Sequence, residues 1–286
     1  MLDRMIGTSG FYRTAARNPM PPKPYAWATR CKLWARAMLV LLLLPCGQAA
    51  AADVADTVMG IKPAVVGVGT YRPTGAPQAS LEGTGFAVGN GLYIVTCAHV
   101  VSKPLDYAHN ESWAIFYRQG DRTAYRLAQM AGVDKEHDLA VLKIPGPPLP
   151  TLALGDSKDA REGWTFYFTG FPIGALLGLY PATARAGLSA IVPIFTPVLR
   201  ASELTARAIQ AAAHPYRIFQ LDGIAYPGNS GSPLWFPEDG KVYGVVNAVY
   251  VKGSKEAALS HPTGISYAIP SDYVIKLLQK VGVPGY

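Results

Sequence analysis

The chain is 286 residues long, half of them hydrophobic, with a formal charge of +7. Residues 1–52 hold seven Lys and Arg against one acid, so nineteen basic and eighteen acidic groups follow, a balance of +1. The positive charge is thus a property of the leader, and it gives no support for nucleic-acid binding, which needs a clustered basic face.

The leader comes first. Arg30, Lys32 and Arg36 precede an apolar run from Ala37 to Leu44, then Pro45 and the small residues Ala49 to Ala52. Positive region, short hydrophobic region and small-residue cleavage site make a Sec-type secretory signal. The run is too short to span a bilayer, which takes about 20 residues. Pro45 before Cys46 fits lipidation poorly, so no stable membrane anchor is expected once the signal is cleaved. The mature chain is therefore expected in the periplasm or outside the cell. Cys31 and Cys46 leave with the leader, so Cys97 cannot form an internal disulfide. In its apolar setting it reads as a buried small hydrophobe.

From Val65 onward, short β-rich runs alternate with Gly, Pro, Asn and Asp. The predicted strands are 64–70, 84–88, 92–96, 113–117, 124–131, 139–144, 164–170, 187–194, 217–222, 232–236, 242–250 and 265–268. That spacing argues for a barrel or sandwich rather than βαβ units. Pro145 to Pro150 and Gly155 to Gly163 form a joint, dividing the mature chain into 53–157 and 158–286. An alanine-rich helix is predicted over 201–214, inside a surface insertion covering 195–216. Residues 271–282 read as a closing helix, with Ser271 as cap and Tyr273, Ile275, Leu277 and Leu278 as its apolar face.

Three positions carry the chemistry. Pro227-Gly228-Asn229-Ser230-Gly231-Ser232-Pro233 sets a serine between glycines at the entry to an apolar run. A serine hydroxyl attacks well only when a base takes its proton and backbone N–H groups receive the developing charge. His99 closes the strand-like run Tyr93-Ile94-Val95-Thr96-Cys97-Ala98, and Asp138 precedes Leu139-Ala140-Val141-Leu142. The gaps are 39 and 92 residues. Histidine, then aspartate, then serine is the chymotrypsin order, distinct from that of subtilisins and α/β-hydrolases. A lipase-type reading fails because Ser232 replaces the glycine its turn requires.

The stretches Gly83-Thr84-Gly85-Phe86, Thr96-Cys97-Ala98-His99-Val100-Val101 and His137-Asp138-Leu139-Ala140-Val141-Leu142-Lys143 resemble trypsin-like serine proteases of the bacterial HtrA type. So do Leu154-Gly155-Asp156-Ser157, Gln220-Leu221-Asp222, Pro227-Gly228-Asn229-Ser230-Gly231 and Gly264-Ile265-Ser266-Tyr267-Ala268-Ile269-Pro270. The resemblance implies an all-β fold, two antiparallel six-stranded barrels with a C-terminal helix and the site in the cleft between them. It implies a secreted serine endopeptidase acting on polypeptides, with His99 as base, Asp138 orienting it and Ser230 as nucleophile. The backbone of Gly228, Asn229 and Ser230 would form the oxyanion hole, and Ile224 the floor of the specificity pocket. An apolar residue there points to small or aliphatic residues before the scissile bond. A catalytically silent or latent protease-fold binding protein is the alternative.

Four features depart from the family pattern. Cys97 and Ser232 stand where a small residue or Asn, and Gly, are usual. The segment between Ile194 and Phe219 is long, and the sequence stops at Tyr286 where a PDZ domain usually follows. The oligomeric state stays open, with a monomer favoured because few residues precede the first strand. His109, His214 and His261 read as loop residues and His137 as exposed or cleft-lining. No pair has metal-ligand spacing, so neither a metal nor any other cofactor is expected.

Overall fold

In the computed structural model, residues 53–120, 122–173, 179–193, 216–247 and 264–286 are described. The leader, the helix at 201–214, His214 and His261 lie outside them. The described part begins with a helix, α1 (Val54–Ile61), where the sequence reading has only a lead-in. The Asp53 carboxylate accepts from the Ala55 N–H at 3.0 Å and caps it. Val54, Val58 and Ile61, spaced to share one face, pack against the core.

The first sheet takes its order from hairpins between consecutive apolar runs. It contains β1 (Val65–Tyr71), β2 (Ala79–Val88), β3 (Tyr93–Cys97), β4 (Ser112–Gln119), β5 (Arg122–Leu127), β6 (Gln129–Asp134) and β7 (Leu139–Lys143). Their order across the sheet is β5-β4-β1-β2-β3-β7-β6, all antiparallel. Six strands are expected and seven are present. The extra strand arises because the run predicted at 124–131 bends at Ala128, whose N–H donates to the Trp113 carbonyl at 2.8 Å. The first half of the run pairs with β4 and the second with β7. The two edges of the sheet are therefore consecutive pieces of one run, and covalent continuity closes it.

The second half does close through hydrogen bonds. β8 (Thr165–Gly170), β9 (Ala182–Pro193), β10 (Arg217–Asp222), β11 (Pro233–Trp235), β12 (Val242–Asn247) and β13 (Ile265–Pro270) form a barrel in the order β10-β13-β12-β11-β8-β9. Residues 248–250 of the run predicted at 242–250 lie outside the described residues. Phe166, Phe168, Leu188, Phe219, Leu221 and Leu234 fill the barrel. Each such side chain contributes about 1.5–3 kcal/mol on burial.

The closing helix α2 (Ser271–Val281) returns to the first sheet, where Val274, Leu277 and Leu278 join its core. Its apolar face is thus built on Val274, while Ile275 is only half-buried. Ser271 does not cap the helix either. Pro270 occupies that position, and the buried Ser271 hydroxyl donates instead to the Gly155 carbonyl at 2.6 Å, tying helix to joint. Ser271→Ala is expected to cost about 1–3 kcal/mol, since it strips a partner from a buried carbonyl. Urea unfolding, read as a lower midpoint at unchanged slope, checks this.

Candidate active site

The histidine and aspartate are brought together by one ladder. β3 and β7 pair so that Cys97 faces Leu139, and the residues just past that register, Ala98 and Asp138, continue it with an N–H···O=C bond of 2.9 Å. A 3-10 turn over Ala98–Val101 then swings the His99 side chain back over Asp138. Asp138 sits in the left-handed region at φ 55°, which aspartate tolerates better than most residues. Its Oδ1 accepts from the His99 backbone N–H at 2.8 Å, and its Oδ2 lies 2.6 Å from His99 Nδ1. A carboxylate only accepts, so Nδ1 carries the hydrogen and Nε2 remains the basic nitrogen.

Asn247, at the end of β12, donates through Nδ2 to Asp138 Oδ2 at 2.7 Å. The sequence reading misses it. Its signal is a polar residue closing the apolar run Val242–Val246, inside the longer strand predicted at 242–250. Cys97 is fully buried, and burial, reinforced by the Asp138 charge, pushes its thiol well above the ordinary range. A neutral thiol therefore lies behind the carboxylate.

Ser230 sits in a turn that both halves of the fold hold. Thr84 of β2 donates its N–H to the Ser230 carbonyl at 2.8 Å and its hydroxyl to the Gly228 carbonyl at 2.7 Å. Gly83, beside it, passes between Val100 and Ser230: a Cβ there would lie 2.7 Å from the valine and 2.9 Å from the serine carbonyl. From the other side, the Val246 carbonyl accepts both the Gly231 N–H at 2.8 Å and the Cys97 thiol at 3.4 Å. The residue after the serine and the residue two before the histidine thus share one acceptor. Gly231 has no alternative here, because its φ is 91° and a Cβ would overlap the Thr84 carbonyl.

The remaining carbonyls of the turn are anchored as well. The Tyr226 carbonyl accepts from Asn229 N–H at 2.9 Å, that of Pro227 from Ile173 N–H at 2.7 Å and that of Asn229 from Ser232 N–H at 3.0 Å. In a planar trans peptide the N–H opposes the preceding carbonyl. The N–H of Gly228 therefore points away from Ile173, and that of Ser230 away from Ser232. Asn229, grouped on sequence with the candidate oxyanion donors, directs its own N–H into the turn, to the Tyr226 carbonyl. Ile173 is held at φ 59°, an outlier for a β-branched residue, at the point where it grips Pro227. Ser232 fits in place of the usual glycine because Gly170 of β8 lacks a Cβ where the Ser232 hydroxyl lies.

The other described histidines are engaged elsewhere. His137 is not exposed: it stacks on Tyr273 at 4.0 Å, meets Tyr216 edge-on and pairs with Asp134 at 2.6 Å. His109 is exposed and pairs with Asp106, whose carboxyl it holds below the usual range. Ile224 is 38% exposed in the loop after β10.

The family model for the trypsin-like peptidase domain matches residues 83–245. A probable periplasmic serine endoprotease DegP-like of Hahella chejuensis is 30% identical over 216 residues, which is 75% of this chain and 38% of that protein. Human serine protease HTRA3 is 30% identical over 229 residues, or 79% of this chain and 44% of the relative. The chain thus spans less than half the length of these curated relatives. Among solved structures, the HtrA-type protease AlgW with decapeptide superimposes with a TM-score of 0.57 at 25% identity, covering 80% of this chain and 67% of that one. The same protease with tripeptide gives 0.55 at 25% identity, covering 80% and 63%. With an Asp138–His99 pair set against a gripped serine turn, and a family match over more than half its length, the chain belongs to the trypsin-like peptidases and is of the HtrA type.

Proposed function

We propose that the chain is an exported serine endopeptidase that cleaves polypeptides through an acyl-enzyme. The observation that carries this reading is the Asp138–His99 pair at 2.6 Å, tied to the turn that bears Ser230 through the Val246 carbonyl, which accepts from both Cys97 and Gly231. Ser230 Oγ attacks the peptide carbonyl while His99 Nε2 takes its proton and later delivers it to the leaving amine. Asp138 keeps Nδ1 protonated and stabilises the imidazolium, and Asn247 holds Asp138. The N–H groups of Gly228 and Ser230 receive the oxyanion, supported by the outward anchoring of the Pro227 and Asn229 carbonyls. The test is labelling of the whole chain by a fluorophosphonate, with the adduct mapped by mass spectrometry. An adduct at Ser230 supports the triad. An adduct elsewhere makes another residue the nucleophile, and no adduct favours a silent or latent protease-fold protein.

Polypeptide substrates are supported by the peptides bound to AlgW, and export by the leader and the periplasmic naming of the DegP-like relatives. With the apolar Ile224 at the pocket, cleavage after Ala, Val or Leu is expected to exceed cleavage after Arg at least about tenfold, since a pocket without a carboxylate leaves the guanidinium unpaired. A peptide library read by mass spectrometry checks it, and fast cleavage after arginine would refute it.

A further inference from the structure

We propose that Cys97, His99 and Asp138 form an inhibitory site for a thiophilic divalent cation, of the Zn2+ or Cd2+ class, overlapping the triad. The Cys97 sulfur, a His99 ring nitrogen and an Asp138 oxygen all lie within 4.8 Å of one another, and among the described residues no other trio of such ligands gathers this closely. Sulfur, imidazole and carboxylate together are a donor set that suits zinc, with a fourth position left for water. The inference rests on the triad reading above.

Two details make the thiol available as a ligand. Its hydrogen bond to the Val246 carbonyl is long, at 3.4 Å, and that carbonyl has a better donor in Gly231 N–H at 2.8 Å. Losing the thiol proton therefore strands no buried acceptor. The carboxylate, for its part, keeps its Oδ1 bond to the His99 backbone N–H while Oδ2 turns to the cation.

Entry is from the cleft. The His99 and Asp138 side chains are 27% and 22% exposed, whereas Cys97 lies behind them. A cation meets the first two and opens their 2.6 Å contact to about 3.3 Å, the edge of a tetrahedron with bonds near 2.0–2.1 Å. The thiol gives its proton to water. The Nδ1 proton moves through solvent to Nε2 as Nδ1 binds the cation, so one proton is released per cation. A protonated Nε2 cannot accept the Ser230 proton, and chemistry stops while the peptide-binding surface is untouched. The signature is a fall in kcat at nearly constant KM.

The experiment titrates the exported chain, after loss of the leader that carries Cys31 and Cys46, with Zn2+ during peptide hydrolysis, each variant normalised to its own metal-free rate. EDTA-reversible loss of kcat is expected, and Cys97→Ala should raise the half-inhibitory concentration at least about tenfold. In parallel, Cd2+ should give a thiolate charge-transfer band in the wild type and in Ser230→Ala but not in Cys97→Ala or Cys97→Ser. Equal zinc sensitivity in wild type and Cys97→Ala, or no cadmium–thiolate band, overturns the proposal. The band needs no turnover, whereas fluorophosphonate labelling of metal-free protein reports on the triad, so failure of either reading is seen separately.

Discussion

Ser230→Ala is expected to lower peptide turnover by about six orders of magnitude and to abolish fluorophosphonate labelling while leaving the fold intact. The size follows from how the proposed triad works as a unit. Without the hydroxyl there is no acyl-enzyme, and His99 and Asp138 have nothing to activate, so the loss matches removal of all three. Residual hydrolysis above the uncatalysed rate would come from the Gly228 and Ser230 N–H groups and from substrate positioning, both carried by backbone that alanine retains. The fold survives for the same reason. The turn is held by the Thr84, Ile173 and Ser232 donors acting on main-chain carbonyls, and by Gly231 N–H on Val246. Stopped-assay hydrolysis together with a thermal melt checks both halves. A melt lowered by several degrees would attribute the loss to unfolding, and turnover within tenfold of wild type would remove Ser230 from the mechanism.

Asp138→Asn is the second large effect, at about four orders of magnitude in kcat with little change in KM. An amide matches the carboxylate in size but presents an NH2 where His99 Nδ1–H and Asn247 Nδ2–H both now donate to Oδ2. Relief of that clash places an acceptor beside Asn247 or a donor beside His99, and the latter forces the proton onto Nε2, the nitrogen that must be free to accept. Asn247→Ala provides the control. It removes one hydrogen bond to a charged group, worth about 1.5–3 kcal/mol, or about ten- to a hundredfold in kcat if it acts wholly on the transition state. In Asp138→Asn the same Asn247→Ala change should cost far less, because both act through one carboxylate. Additive losses would mean that Asn247 acts independently of Asp138.

Much of this protein could be read along the chain, and the reason is local. β3 and β7 are continuous apolar runs with β-branched residues, and the triad candidates sit at their ends, where strand patterning stops. Gly228, Ser230 and Gly231 announce a turn through backbone requirements that few other residues meet. Boundaries were legible wherever a run ended on Gly, Pro, Asn or Asp. The run at 124–131 had no such break at Ala128, so its bend, and with it the closure of the first sheet, went unseen. Likewise the eight residues of α1 carry too short a pattern to stand out from the approach to β1.

What the primary structure determined by itself was the order of apolar runs and turn residues, hence the β-rich fold, and it offered three chemically matched side chains as candidates. Those follow from propensities and patterns that act over a few residues. Only the folded chain decided which distant groups complete them. Asn247 reaches Asp138, Thr84 grips the serine turn, and Ser271 reaches Gly155 rather than capping its own helix. It also placed the thiol of Cys97 beside an imidazole and a carboxylate. Hydrogen bonds of this kind depend on register and barrel closure, which join residues a hundred or more positions apart and leave no periodic trace in the sequence.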